Sequence, residues 1–121
     1  MSEADEQKAI IAYFRKAYPM HMASLRVSAN GIHRGKGVAA MRRIAKEKAQ
    51  GFVTGEADIA ILLPRGGYGC LLIEHKSDEA MRGATAEQLI YILYHNSIGN
   101  RALVTKGVSM AIATIDEYMQ S

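Results

Sequence analysis

From Glu3 to Ala17 the chain reads EADEQKAIIAYFRKA, and Gln7, Ile10, Phe14 and Ala17 recur along one stripe at the interval of an α-helix. Acidic residues crowd its first turn and Arg15 and Lys16 its last, a charge order that suits the helix dipole. Pro19 ends this helix, and MASLRVS then alternates loosely enough for a short strand before a turn at Asn30-Gly31. GKGVAAMRRIAKEKAQG follows, with Lys36, Arg42, Arg43, Lys46 and Lys48 against Glu47, and predicts a basic helix or a half-ordered basic segment. ADIAILL and CLLIEHK predict two strands at the centre of a sheet, joined as a hairpin by PRGGYG. Thr85 and Gln88 form a capping-box signature, after which Leu89, Ile92 and Leu93 predict a helix to about Ser97. Gly99 closes it, RALVT supplies another strand, and Val108, Ile112, Ile115 and Met119 mark a last helix. The step from CLLIEHK through a helix to RALVT has the length of a right-handed parallel crossover.

The 121 residues are 49% hydrophobic, which predicts one domain over residues 1–121 with a single core. A net charge of +3 admits nucleic acid, acidic lipid or an acidic protein as partner without choosing among them. Cys70 is the lone cysteine, so a disulfide framework and a cysteine-based zinc site are excluded and a reducing compartment is expected. The N-terminus MSEADEQKAI is acidic, and no apolar stretch approaches the roughly 18 residues of a membrane span. A cytoplasmic protein without a membrane partner is therefore expected.

Near the end of CLLIEHK, Glu74 and Lys76 stand two positions apart and share one face of the strand. Asp58 opens the other strand of the hairpin, so antiparallel pairing brings Asp58, Glu74 and Lys76 to one end of the sheet. Two carboxylates there can hold Mg²⁺, which accepts one or two of them together with water and phosphate oxygens. Lys76 can orient or activate the attacking water, or stabilise charge on a phosphate under attack. His75 points to the other face and offers mainly its main-chain carbonyl. An exposed ion pair fits the same spacing. What favours a site is that Glu74 follows Leu71, Leu72 and Ile73 directly, where a charge usually has a reason.

GEADIAILLPRGGYGCLLIEHK, with ATAEQ after it and GNRALVTKG beyond, resembles the VRR-NUC family of the PD-(D/E)xK nuclease superfamily, in particular its small stand-alone phage-type members. The likeness in order and spacing spans nearly the whole chain. Gly55, Asp58, Arg65 to Tyr68, and Glu74 with Lys76 match the pattern; Ala57 stands where the family usually has proline, and His75 where a hydrophobic residue is common. The resemblance implies an α/β fold with a restriction-endonuclease-like core, a mixed β-sheet flanked by α-helices. It also implies Mg²⁺ or Mn²⁺ held by Asp58, Glu74 and the His75 carbonyl, with an acidic residue of the first helix completing the shell. Glu3 is preferred and Glu6 stays open, since both also suit a helix N-terminus without any metal. Gln88 matches a glutamine that follows the family's core motif, although the cap with Thr85 accounts for it equally well.

Arg34, Lys36, Arg42, Arg43 and Lys46 before the hairpin, and Arg65, Arg82, Arg101 and Lys106 in turns or strand edges near it, suit phosphate contacts as a set. A solvated surface accounts for any one of them alone. NGIHRGKG resembles the segment that the family carries before its core. His21, His33, His75 and His95 lack the paired spacing of metal ligands. Gly66, Gly67 and Gly69 lack the Gly-Lys-Ser/Thr ending of a phosphate loop, so no nucleotide cofactor is expected. The resemblance thus implies a metal-dependent endodeoxyribonuclease in a bacterial host cell, a homodimer that resolves Holliday junctions in the manner of a phage resolvase. VSMAIATIDEYM or LIYILYHNSI could form the dimer face, or both could cover the sheet of a monomer. Two alternatives stay open: a junction-binding module without turnover, and a nuclease of the same core acting on flaps, nicks or linear ends.

Overall fold

The computed structural model describes residues 1–28 and 37–121; the turn expected at Asn30-Gly31, His33, and the phosphate contacts expected of Arg34 and Lys36 lie outside the described residues. In chain order the elements are α1 (Glu3–Ala17), a 3₁₀ helix (Pro19–Ser24), β1 (Leu25–Val27), α2 (Val38–Ala49), β2 (Ile59–Ile61), β3 (Leu71–Lys76), α3 (Ala86–Ser97), β4 (Arg101–Lys106) and α4 (Val108–Met119). Each matches an element expected from the sequence, except that the first half of MASLRVS is taken into the 3₁₀ helix that Pro19 opens.

A tight turn closes the hairpin, one residue out of step with the strand register that follows it. Arg65 and Tyr68 exchange two main-chain hydrogen bonds around Gly66 and Gly67, whose φ angles are 57° and 87°. A two-residue loop of this kind needs positive φ at both central residues, which two glycines supply at no steric cost. β2 and β3 then pair antiparallel, with Ile59 opposite Ile73 and Ile61 opposite Leu71. β1 joins β2 antiparallel and β4 joins β3 parallel, so a mixed four-stranded sheet runs in the order β1-β2-β3-β4. The hairpin is central, and α3 makes the expected parallel crossover from β3 to β4.

Alternation along β3 divides the molecule into two layers. Ile59, Ile61, Leu71 and Ile73 face α1 and α4, burying Ile10, Phe14, Ala111 and Ile115 in the main core. Tyr13 and Tyr18 strengthen that layer by donating their hydroxyls to Asp116 of α4, at 2.7 and 2.6 Å. On the other face Leu72 and Ala102 pack with Tyr91 and Ile92 of α3, and Cys70 is half-buried beside them. α1 is turned slightly from the expected stripe: it buries Glu6 with Ile10 and Phe14, while Gln7 is half-buried and Ala17 exposed. α2 forms as a helix that buries Ala40 alone and leaves Arg42, Arg43, Lys46 and Lys48 exposed.

Gly55 marks where the loop before β2 meets α3. Its φ is 80°, and a Cβ there would stand 2.6 Å from the Glu87 main chain. Gly55→Ala is expected to lower stability by more than about 1 kcal/mol, because the side chain meets main chain and the conformation is left-handed. The shift in urea midpoint measures this; an unchanged midpoint would show that the contact yields freely.

Candidate active site

One step beyond the Ile59–Ile73 pair, the same register carries Asp58 on one strand and Glu74 on the other. Asp58 is held by the strand itself: the His75 main-chain N–H donates to its Oδ2 at 2.9 Å. Glu74 is 2% exposed. Its Oε1 receives the Gln88 side-chain amide, and Lys76 Nζ stands 3.5 Å from the same oxygen. Its Oε2 is buried and has no hydrogen-bond partner among the described residues.

Gln88 serves the helix cap and the site at once. Its amide oxygen accepts from Thr85 N at 2.8 Å, while Thr85 Oγ1 accepts from Gln88 N at 3.2 Å. That capping box leaves the amide nitrogen facing Glu74, so one rotamer both caps the helix and reaches the Glu74 carboxylate. Gly55 contributes indirectly, since its close approach seats this first turn of α3.

Asp58 disfavours the charge of Glu74. Burial first, and then the negative charge of Asp58, push Glu74 up to about 8, with Lys76 acting in the opposite direction. Burial also raises Asp58, opposed by the His75 N–H. Near neutral pH the metal-free pair therefore retains a proton. Among the described residues no three His, Cys, Asp or Glu side chains gather into a ready-made metal cage. Two carboxylates and an orphaned buried oxygen nonetheless suit a small hard cation that keeps water in its shell, such as Mg²⁺.

Of the two acidic candidates on α1, Glu3 faces this corner. Its Oε2 accepts from Ser77 N at 3.4 Å, and its charge helps to raise Asp58. Glu3 and Asp58 line a cavity of about 720 Å³ with Gln7, Lys8, Arg15 and Ser28. Glu6 turns elsewhere. Its Oε1 lies 2.8 Å from His75 Nε2 and its Oε2 accepts from Asp78 N at 3.1 Å, on the opposite face of β3. The expectation of Glu6 as a metal ligand is corrected accordingly: the His75 hydrogen bond holds its carboxyl below the usual range and takes the oxygen a metal would need.

Antiparallel geometry also revises the basic residues. Arg65 lies in the turn at the far end of the hairpin, and Arg101 pairs with Leu71 there, so both stand at the opposite end of β3 from Glu74. Lys106 is beside Lys76 in register and does share the corner. Arg42 and Arg43 are exposed on α2. Lys8 and Arg15, which the sequence marks only as helix residues, line the cavity that contains Asp58. Their signal was present in the spacing from Ala4 to Lys8, Ile11 and Arg15, a second stripe adjoining Glu3.

No family model matches the chain, and no curated protein matches it. A solved structure described as a VRR_NUC domain protein is similar, with a TM-score of 0.83 at 24% sequence identity, covering 99% of this chain and 89% of that one. The chain thus has the fold that the resemblance implied, an α/β architecture with a restriction-endonuclease-like mixed sheet between helices.

The Glu74 carboxyl gives a pH dependence with a definite sign. Its folded value near 8 lies above the ordinary 4.5, so between these limits the folded chain holds more protons than the unfolded one. Stability then falls as pH rises through that window. In EDTA, Glu74→Gln is expected to melt higher than wild type above pH 8 and to lose much of the slope. Parallel melting curves for the two proteins across the window would contradict the raised value.

Proposed function

We propose that this chain is a divalent-metal-dependent endonuclease that hydrolyses phosphodiesters in branched DNA and works as a homodimer on four-way junctions. The observation that carries this reading is the meeting of Asp58, Glu74 and Lys76 around a buried carboxylate oxygen that has no hydrogen-bond partner among the described residues. The fold shared with the VRR_NUC domain protein supports it.

Asp58, Glu74 and the His75 carbonyl would hold Mg²⁺ or Mn²⁺, and Glu3, which faces the same corner, would add its charge. When bound, the cation supplies Lewis-acid polarisation of the phosphodiester and eases deprotonation of water. The chain's own residues do the rest. Glu74, whose carboxyl is raised to about 8, would have to give up its proton to serve as a ligand. Gln88 fixes the rotamer of Glu74, so the free oxygen keeps its direction. Lys76, held beside Glu74, orients the attacking water and offsets charge on the phosphate as the leaving oxygen departs. Lys8, Arg15 and Lys106 are placed to receive flanking phosphates, whereas Arg65 and Arg101 would serve DNA that reaches the other end of the sheet.

The second copy is assigned to α3. This helix buries none of its residues, and Leu89, Ile90, Leu93 and Tyr94 are 47, 67, 68 and 58% exposed. α4, the other candidate face, is committed to its own core through Ala111, Ile115, Tyr118 and Met119. A row of four large apolar side chains on one helix is more than scattered surface hydrophobicity explains, and pairing of like faces closes a two-fold dimer. Because α3 also carries Gln88, such a dimer sets both sites close to the interface.

An end-labelled four-way junction and a matched linear duplex, incubated with and without Mg²⁺, test the activity. Paired symmetric nicks on the junction are expected, lost in Glu74→Ala and in Lys76→Ala while both variants stay folded. Binding without cuts would leave a junction-binding module, and cuts confined to flaps, nicks or ends would keep the nuclease and discard the substrate. For assembly, Ile90→Glu with Leu93→Glu is expected to convert a dimer to a monomer in sedimentation equilibrium without loss of melting temperature. A monomeric wild type would remove the dimer from this reading.

A further inference from the structure

His75 occupies a position in the central strand where an apolar residue would suffice to fill the core, yet its ring is fully buried between two polar partners. Nε2 stands 2.8 Å from Glu6 Oε1 and Nδ1 stands 2.8 Å from Thr105 Oγ1. Glu6 and Thr105 are themselves 3% and 0% exposed. The second Glu6 oxygen accepts from Asp78 N in the turn after β3. Whichever ring nitrogen carries the proton, α1, β3, β4 and the Asp78 turn are joined through one imidazole.

This bridge lies directly behind the carboxylate pair, on the opposite face of the same strand. Apolar contacts such as Ile10 and Phe14 hold α1 against the sheet but permit small rotations and slides, because dispersion has little directionality. Hydrogen bonds at Glu6 do not permit them. Glu3 is three residues before Glu6, on an adjoining part of the same helix surface and about 4.5 Å along its axis. Any rotation of α1 that breaks Glu6 from His75 also withdraws Glu3 from Ser77 N and from the cavity it shares with Asp58.

We propose that His75, acting through Glu6, is a positioning residue of the metal site: it sets the rotation and height of α1 so that Glu3 stands at the mouth of the Asp58–Glu74 pair. The role rests on the metal-dependent reading given above. Mg²⁺ and its relatives keep much of their water, so a carboxylate in the position of Glu3 acts on the shell around the cation. Groups of that kind typically change metal affinity by about 10- to 100-fold when removed.

The test is Mn²⁺ titration of the protein without DNA, read by the electron paramagnetic resonance of free Mn²⁺, together with thermal melting. The double variant Glu6→Leu/His75→Val replaces the buried polar pair with apolar groups of similar bulk, a change that proteins often accept without loss of stability. It is expected to fold with a melting temperature near that of wild type and to bind Mn²⁺ about tenfold more weakly, the same loss expected of Glu3→Gln. Adding Glu3→Gln to the double variant is expected to cost nothing further. Wild-type Mn²⁺ affinity in the folded double variant, or a full additional loss on adding Glu3→Gln, would overturn the proposal and leave the bridge a packing feature. Should the double variant not fold, His75→Leu, which removes the ring from Glu6, carries the comparison: weaker Mn²⁺ binding supports the positioning role and unchanged binding overturns it. Mn²⁺ binding that Asp58→Asn abolishes but the double variant retains would defeat this inference alone, whereas a wild type that binds no Mn²⁺ would defeat the metal reading and this inference together.

Discussion

Asp58 and Glu74 meet at the end of a hairpin, one half-buried at a cavity wall and the other almost wholly buried, and the charge of Asp58 works against that of Glu74. Burial of Glu74 and the nearness of Asp58 raise its carboxyl to about 8, while Lys76 and Gln88 are gathered on one of its oxygens. An arrangement so unfavourable to a buried carboxylate has to be imposed by its surroundings. The register of β2 against β3 imposes it. Ile59 opposite Ile73 commits the next pair to Asp58 and Glu74, and a slip of one residue would send Glu74 into the apolar layer beneath. The apolar faces of the two strands hold that register, and Gly55, which seats α3, serves the site although it does not touch it.

β3 is unusual in carrying polar function on both faces. Glu74 and Lys76 look toward α3, and His75 looks into the layer below α1, where Glu6 and Thr105 satisfy both ring nitrogens. Buried polar groups that are fully paired add direction to a packing that apolar contacts leave loose. The consequence is mechanical. The strand that bears the carboxylate pair is tied to the helix that bears Glu3, so the two acidic contributions to the corner are held in one frame.

α3 performs a parallel service on the other face. Its first turn is capped by Thr85 and Gln88, and the cap residue itself reaches Glu74. Its outer surface is apolar and exposed, with Ile90 and Leu93 uncovered by any other described element. One helix therefore connects the rotamer of Glu74 with an exposed apolar surface. The basic residues are distributed with the same economy: Lys106 shares the corner, Lys8 and Arg15 line the adjoining cavity, and Arg65 and Arg101 mark the far end of the sheet.

Much of this was legible in the chain alone, because the rules concerned are local. Helical period and end charges defined α1, Thr85 and Gln88 defined the start of α3, and Gly66-Gly67 defined the hairpin. Alternation and antiparallel pairing then brought Asp58, Glu74 and Lys76 together, since both follow from backbone geometry. The outcomes left to tertiary structure all depend on which partner lies across a gap. A single helix sequence does not say whether Glu3 or Glu6 faces the sheet's corner; the buried ring of His75 claimed Glu6 and turned α1 to suit. Closeness in sequence put Arg65 near the site, but a hairpin carries its turn as far from its open end as the strands are long. Nor did periodicity tell that α3 would remain uncovered while α4 sank into the core. Local interactions choose the elements and their faces. Only the assembled layers decide what each face meets, because burial and hydrogen bonding between distant segments exist only once those segments are packed.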